Sequence, residues 1–269
     1  MDNFITSQQN PKIRHLLLLE QKSSERRKDG LFVVEGQREL SHCLEAGMTI
    51  DSVFYCPQIL GEDHWAELSQ HLAKDVKIYQ VTADIYNKVA YRGGTEGVIA
   101  EVVTQKLTLA DLMLPEKPLI VVLESVEKPG NLGAVLRSAD AAKVDAVIVC
   151  DPLTDLYNPN LIRSSIGGIF SVQCVACSSE DCIMFLKSRG IQILTAQLQD
   201  SHLYYDTDMR RPTAIVMGTE STGLTPIWRE AADAHIRIPM LGRLDSLNVS
   251  VSAAILMFEA VRQRSQEEE

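Results

Sequence analysis

The sequence predicts an α/β protein of two units, the larger one a doubly wound parallel sheet. Three observations carry this. Four continuous apolar runs rich in β-branched residues, Leu119–Leu123, Ala146–Val149, Ile191–Leu194 and Ala214–Met217, have the composition of strands covered on both faces. Helical stretches lie among them, at Gly133–Ala142 and Asp181–Ser188. Upstream, short strand-like and helix-like segments alternate over about 100 residues, until Pro115, Pro118 and weak periodicity in 104–118 mark a connection.

Taken in order, Ile13, Leu16, Leu17 and Leu19 recur at helical spacing between charges, so 11–29 reads as one basic amphipathic helix ending at Asp29-Gly30. Leu31–Val34 is a strand and Gln37–Ala46 a helix closed by Gly47, a residue suited to a helix C-terminus. Ser52–Tyr55 is a second strand, followed by a helix near Trp65–Leu72, a strand at Val76–Tyr79, a short helix over Ala83–Lys88 and a strand over Val98–Val103. These segments assign 1–107 to a small first unit and 108–269 to the second, which closes with a helix over Leu247–Arg264. No repeat or low-complexity segment is visible.

The 269 residues are 45% hydrophobic, 23% charged and 6% aromatic, which excludes disorder, collagen and coiled coil as global descriptions. No run approaches the ~18 apolar residues of a membrane span, and the first thirty residues lack a signal pattern, so a soluble cytoplasmic protein without membrane association is expected. Cys43, Cys56, Cys150, Cys174, Cys177 and Cys182 sit mostly in apolar runs and read as reduced core thiols. Cys174 and Cys177 have zinc-like spacing, but no second pair or nearby histidine completes four ligands, so no metal is expected. His15, His42, His64, His71, His202 and His235 are scattered and form no ligand or nucleophile signature.

A net charge of −10 argues against binding polyanions through bulk positive charge. Locally the balance reverses: 11–38 holds seven basic residues against four acidic ones. Arg26, Arg27 and Lys28 are its densest part and the candidate phosphate contacts. The terminal Glu267, Glu268 and Glu269 read as a frayed solubilising tail.

Open parallel sheets bind ligands beyond the carboxyl ends of their strands. Three loops there are unusual: Glu124 to Gly133, leading into a helix with Arg137; Gly218 to Leu224; and Ile238-Pro239-Met240 followed by 241–250, ahead of the last helix. Neither the dinucleotide fingerprint nor a Walker A loop is present. The glycines instead allow close backbone approach to a ligand whose adenine edge is read by main-chain groups. Ser246 and Asn248 are also positioned to cap the last helix.

In order and spacing, Asn131-x-Gly133-x-x-x-Arg137, Gly218-x-Glu220-x-x-Gly223 and Ile238-Pro239-Met240 with Ser246-Leu247-Asn248-Val249-Ser250 resemble the three motifs of the SpoU/TrmH family of RNA ribose 2′-O-methyltransferases. The resemblance is strong over 118–264. It is looser over 11–103, where Phe32-Val33-Val34-Glu35-Gly36 and the next helix look like an L30e-like substrate-binding domain. The resemblance implies a deep trefoil knot, S-adenosylmethionine bound within it, and a homodimer through the last helix. It assigns Gly218, Ile238 and Leu247 to main-chain contact with the cofactor, and the strand end Leu194, Thr195, Ala196, Gln197 to the adenosine. It also implies Arg137 as the catalytic arginine, with Asn131, Glu220, Ser246 and Asn248 orienting it and the ribose, and Arg163 as an RNA contact. A guanidinium stays protonated, so holding phosphate and stabilising the developing alkoxide suits Arg137 better than acting as base.

The implied activity is ribose methylation of structured RNA, with 23S ribosomal RNA as the expected substrate. Transfer RNA and a noncatalytic RNA-binding scaffold remain the alternatives. Where a better-known ribosomal subgroup carries His-Gln-Gly, this chain reads Thr95-Glu96-Gly97, which leaves the target nucleotide open.

Overall fold

The computed structural model describes residues 3–91 and 96–265, and the chain divides into two compact units, Met1–Gln105 with Asp155–Phe170, and Lys106–Thr154 with Ser171–Glu269. Thr95 and the acidic terminus at 267–269 lie outside the described residues.

The first unit begins with β1 (Phe4–Ile5), α1 (Pro11–Gln21), α2 (Ser23–Asp29), β2 (Leu31–Glu35), α3 (Gln37–Glu45) and β3 (Ile50–Tyr55). It continues with α4 (Pro57–Leu60), α5 (Glu62–Ser69), β4 (Lys77–Val81), α6 (Ala83–Val89) and β5 (Val98–Val103). Its sheet is mixed, in the order β1-β4-β3-β5-β2, with β5 antiparallel to both neighbours. The expected single helix over 11–29 is two helices. α1 starts on Pro11 with Asn10 accepting from the Lys12 amide and buries Ile13, Leu16 and Leu19; Lys22 is then extended, and α2 restarts at Ser23. That break turns Arg26 inward. Its guanidinium donates to the Leu19 and Glu20 carbonyls at the end of α1 and to Asp155 at 2.6 Å, and the residue is 3% exposed. Carbonyls left without helical partners are satisfied this way.

The second unit opens with β6 (Leu119–Glu124), α7 (Pro129–Ala141) and β7 (Ala146–Cys150). The chain then returns to the first unit as α8 (Pro159–Ser165) and α9 (Gly168–Ser171). The sequence reading assigned this excursion to the second unit. It is tied to the first by the Arg26–Asp155 pair, by Tyr157 stacked on Phe32 at 4.2 Å, and by the Tyr157 hydroxyl donating to the Gln105 carbonyl. The remaining elements are β8 (Cys174–Cys177), α10 (Ser179–Ser188), β9 (Gln192–Ala196), β10 (His202–Leu203), β11 (Thr213–Met217), α11 (Pro226–Ala231), β12 (Ala234–Arg237) and α12 (Val249–Ser265).

All seven strands here run parallel, in the order β10-β12-β9-β11-β6-β7-β8. On one face Ile120, Val122, Ile148, Ile193 and Val216 pack with Leu186 of α10 and Trp228 of α11. Alternation puts the equally buried Val121 and Leu123 on the other face, where α7 packs against α12 through its own buried stripe of Leu132, Val135 and Leu136. The four apolar runs are thus four strands of one two-faced parallel sheet. No helix among the described residues is long and apolar enough to cross a membrane.

Candidate active site

The three unusual loops meet beyond the carboxyl ends of β6 and β11. Glu220 is their common partner. One carboxylate oxygen accepts from Asn248 Nδ2 at 2.6 Å, from Asn131 Nδ2 at 3.1 Å and from the Val249 amide at 3.5 Å; the other accepts from Lys128 Nζ at 3.3 Å. The second proton of Asn248 Nδ2 goes to Asn131 Oδ1 at 3.2 Å, closing a triangle of side chains from α7, the 218–224 loop and the start of α12. The Lys128 ammonium, with help from the Val249 amide, holds the Glu220 carboxyl below the usual carboxylate range. A carboxylate held down in this way is a weak base, so its work is to fix the three loops.

Asn248 is also the cap of α12: its Oδ1 accepts from the Ser250 amide at 3.0 Å and from Ser250 Oγ at 2.6 Å. Ser246, the other expected cap, instead donates to the neighbouring Asp245. The 218–224 loop is shaped by Gly218 and Gly223. A Cβ on Gly218 would stand 2.3 Å from the Gly223 carbonyl carbon and oxygen, so the loop's own backbone requires glycine there. Gly223 has φ +68°, the left-handed region that glycine enters freely, and its amide closes the turn on the Thr219 carbonyl. Behind the loop, buried Glu124 at the end of β6 accepts from both the amide and hydroxyl of Thr225, fixing the chain as it enters α11.

Two cavities flank the Gly218–Glu220 segment. The smaller, about 110 Å³, is lined by Val126, Glu127, Lys128 and Asn131. The larger, about 280 Å³, is lined by Ala196, Gln197, Leu198, Leu224, Ser246 and Leu247. Of the residues expected at a cofactor, Ala196, Gln197, Gly218 and Leu247 therefore share one cavity. Leu194 and Thr195 do not line it. Both are buried within β9, where the Thr195 hydroxyl pairs with His235 Nδ1 at 2.6 Å. Ile238 follows β12, half-buried and away from the lining.

Arg137 is not brought to the Asn131–Glu220–Asn248 triangle. Six residues along α7 place it about 9 Å further down the axis and about a third of a turn round from Asn131. It is exposed and has no hydrogen-bond or ion-pair partner among the described residues. Arg163, in α8, lines a first-unit cavity of about 310 Å³ with Arg38 and the acidic side chains of Glu35, Glu39 and Glu96, a setting that disfavours a phosphate. Of the candidate phosphate contacts, Arg26 is withdrawn by its burial and its pair with Asp155, whereas Arg27 and Lys28 are exposed.

Sequence reasoning passed over Lys128 and Glu124. Lys128 is the one cation of the Glu124–Gly133 loop, a signal available from sequence; the partner of Glu124 lies 101 residues away and only the fold supplies it.

Comparison with known proteins places these features in one family. The SpoU rRNA methylase family matches residues 118–258, and an MRM3-like substrate binding domain matches 10–100. The 23S rRNA (guanosine-2′-O-)-methyltransferase RlmB of Vibrio parahaemolyticus is 37% identical over 70% of this chain and 79% of its own length. The 23S rRNA (guanosine(2553)-2′-O)-methyltransferase RlmP of Bacillus subtilis is 27% identical over 94% of this chain and 97% of its own. Among solved structures, the SpoU methyltransferase AviRb of Streptomyces viridochromogenes in complex with AdoMet superposes with a TM-score of 0.88 at 28% identity, covering 96% of this chain and 99% of that one.

Proposed function

This chain belongs to the SpoU rRNA methylase family, and on that premise we propose that it transfers a methyl group from S-adenosylmethionine to a ribose 2′-hydroxyl of 23S ribosomal RNA. The observation that carries the reading is the closed Asn131–Glu220–Asn248 triangle beside a cavity walled by Gly218 and Leu247. A scaffold that only binds RNA has no use for that juxtaposition.

The cavity fits the cofactor by its chemistry. Gly218, which has no side chain, brings main chain to its wall, Met217, Leu198, Leu224 and Leu247 border it with apolar residues for an adenine plane, and Gln197 and Gln199 line it with amides. When bound, S-adenosylmethionine supplies an electrophilic methyl on a sulfonium. The protein's own share is positioning, which is worth up to ~7–11 kcal/mol when reacting atoms are held in line. Asn131 and Asn248, locked by Glu220, hold the loops that border the cavity, and Ser246 stands at its rim. Arg137, exposed and unpartnered among the described residues, is available to a backbone phosphate and to charge developing on the 2′-oxygen.

The same reading includes an α12 threaded through a loop as a trefoil knot, an L30e-like first unit that selects the RNA, cytoplasmic residence and a homodimer. Support for the dimer comes from α12, where Val251 and Phe258 are 46% and 47% exposed. Sedimentation at micromolar protein should return twice 29.9 kDa. The activity is tested by incubating the protein with methyl-labelled S-adenosylmethionine and either 23S ribosomal or transfer RNA, then mapping ribose methylation. Label at a 2′-oxygen of 23S RNA is expected; label confined to transfer RNA, or none, overturns the reading.

A further inference from the structure

Away from the triangle, at the carboxyl ends of β7 and β8, three thiols converge. The sulfurs of Cys150, Cys177 and Cys182 all lie within 4.8 Å of one another. Cys150 and Cys177 end adjacent parallel strands and are direct register partners, so their side chains leave the same face of the sheet. Cys182 comes from the first turn of α10, which starts two residues after β8. The Cys174–Cys177 spacing that resembles a zinc motif is misleading, because three residues along a strand put the two thiols on opposite faces. The true companion of Cys177 is 27 positions earlier in the chain.

We propose that Cys150, Cys177 and Cys182 form a site for one soft divalent cation of the zinc and cadmium kind. Zinc–sulfur bonds of ~2.3 Å in a tetrahedral arrangement separate sulfurs by about 3.8 Å, so the thiols need to close by about 1 Å at most. A disulfide suits the place less well. In-register neighbours on parallel strands stand ~4.8 Å apart, beyond the ~3.5–4.5 Å between Cβ atoms that a disulfide needs, and it would leave the third thiol unused.

The electrostatics agree with a cation. The three thiols lose their protons when the ion binds, and the carboxylates of Asp181 and Asp151 lie nearby. Three thiolates around a divalent ion carry one net negative charge, which the positive end of α10 offsets. The two carboxylates are engaged by serines: Asp151 accepts from Ser179 Oγ at 2.6 Å, and Asp181 from Ser178 Oγ at 2.7 Å. Cys150 and Cys182 are fully buried and Cys177 half-buried, so the side of Cys177 is the way in and the place for water as fourth ligand. Since β8 is the edge strand, the bound ion would clip the edge of the sheet to α10.

The test titrates reduced, metal-free protein with Cd²⁺ and follows thiolate-to-cadmium charge-transfer absorption, with Zn²⁺ as competitor. Saturation at one equivalent is expected. Cys177→Ala and Cys182→Ala should lose the band and Cys174→Ala should keep it. No band in the wild-type protein, or a full band in Cys182→Ala, overturns the proposal. Should those variants fail to fold, alkylation of the wild-type protein with and without one equivalent of Zn²⁺ decides: protection of Cys177, the accessible thiol of the three, supports the site, and unchanged alkylation of Cys177 overturns it.

Discussion

In the second unit the parallel strands β6, β7, β9 and β11 are buried on both faces, and Lys128, Asn131, Glu220 and Asn248 pair with one another in the open beyond the strand ends. In the first unit a five-stranded mixed sheet takes charge inside. Arg26 is sealed against Asp155, and buried Glu101 accepts from Ser52 Oγ at 2.6 Å while contacting His15, whose other nitrogen meets Asp29. The two-faced sheet takes in one carboxylate at a strand end, Glu124 held by Thr225, and the groups of the triangle stand on the loops, where they are available for chemistry. The mixed sheet uses charge as fastening. An unpaired buried charge is costly, so each such group holds a specific partner.

The sharpest way to break this comparison is to remove a fastening. Arg26→Ala leaves Asp155 and the α1 carbonyls without their donor, and breaking a buried pair typically costs ~3–5 kcal/mol. A large fall in the urea midpoint is expected. Arg27→Ala, one residue on and exposed, should stay within ~0.5 kcal/mol. Equal effects would mean that the first unit does not depend on its buried charge.

Next in size are the open groups of the second unit, which should matter for rate and little for folding. Arg137→Ala should lower methyl transfer ~10²–10³-fold, about 2.7–4 kcal/mol, with unfolding and S-adenosylmethionine affinity unchanged. Asn248→Ala should lower transfer as well and also cost ~1 kcal/mol of stability, because it caps α12. Near-normal turnover of Arg137→Ala with saturating RNA would remove the arginine from the mechanism.

A third test separates a fastening from a liability. Glu20 has a buried oxygen without a hydrogen-bond partner, and desolvation, with Glu35 nearby, pushes its carboxyl up to about 8. Its unfolded value is near ~4.3, so the folded state keeps a proton that the unfolded chain has released. The folded state is best favoured below that unfolded value and loses ground as pH rises toward 8. Glu20→Gln should therefore match the wild type near pH 4 and exceed it by on the order of 1–3 kcal/mol at pH 8, read from denaturant midpoints. A pH-independent difference would show that the carboxyl titrates normally.

The same contrast explains what was legible from sequence. Strands buried on both faces leave continuous apolar runs, so four of the seven parallel strands stand out, whereas Cys174–Cys177, His202–Leu203 and Ala234–Arg237 are too short or too polar. The triangle residues were legible because each stands in one of the three motifs that resemble those of the SpoU/TrmH family. Their closure on Glu220 was not, since partners 28 and 89 positions away are joined only by the fold. Arg26 was misread because charge periodicity places it beside Arg27 and Lys28 and cannot foresee the extended Lys22 that redirects α2. Gly218 was legible as a glycine with a purpose, but its constraint is the Gly223 backbone as well as any ligand.

The smallest expected effect concerns RNA docking, once Arg26 is excluded from the patch. Arg27 and Lys28 remain exposed, and Lys28 is only loosely engaged by Glu25 at 3.3 Å and Asp29 at 3.9 Å, so a phosphate can displace these contacts at little cost. Phosphate contacts of this kind release counterions, and each one lost makes the dependence of log affinity on log salt shallower by roughly 0.7–0.9. Arg27→Glu with Lys28→Glu should thus weaken binding of 23S RNA fragments and lower the salt slope by about 1.4–1.8, with the urea midpoint and S-adenosylmethionine affinity unchanged. Substituting Arg26 instead would confound the measurement, because the unit would loosen before any phosphate contact was tested. If affinity and slope both survive in the double variant, the exposed end of α2 is only a solvated face, and the docking surface lies on another part of the molecule.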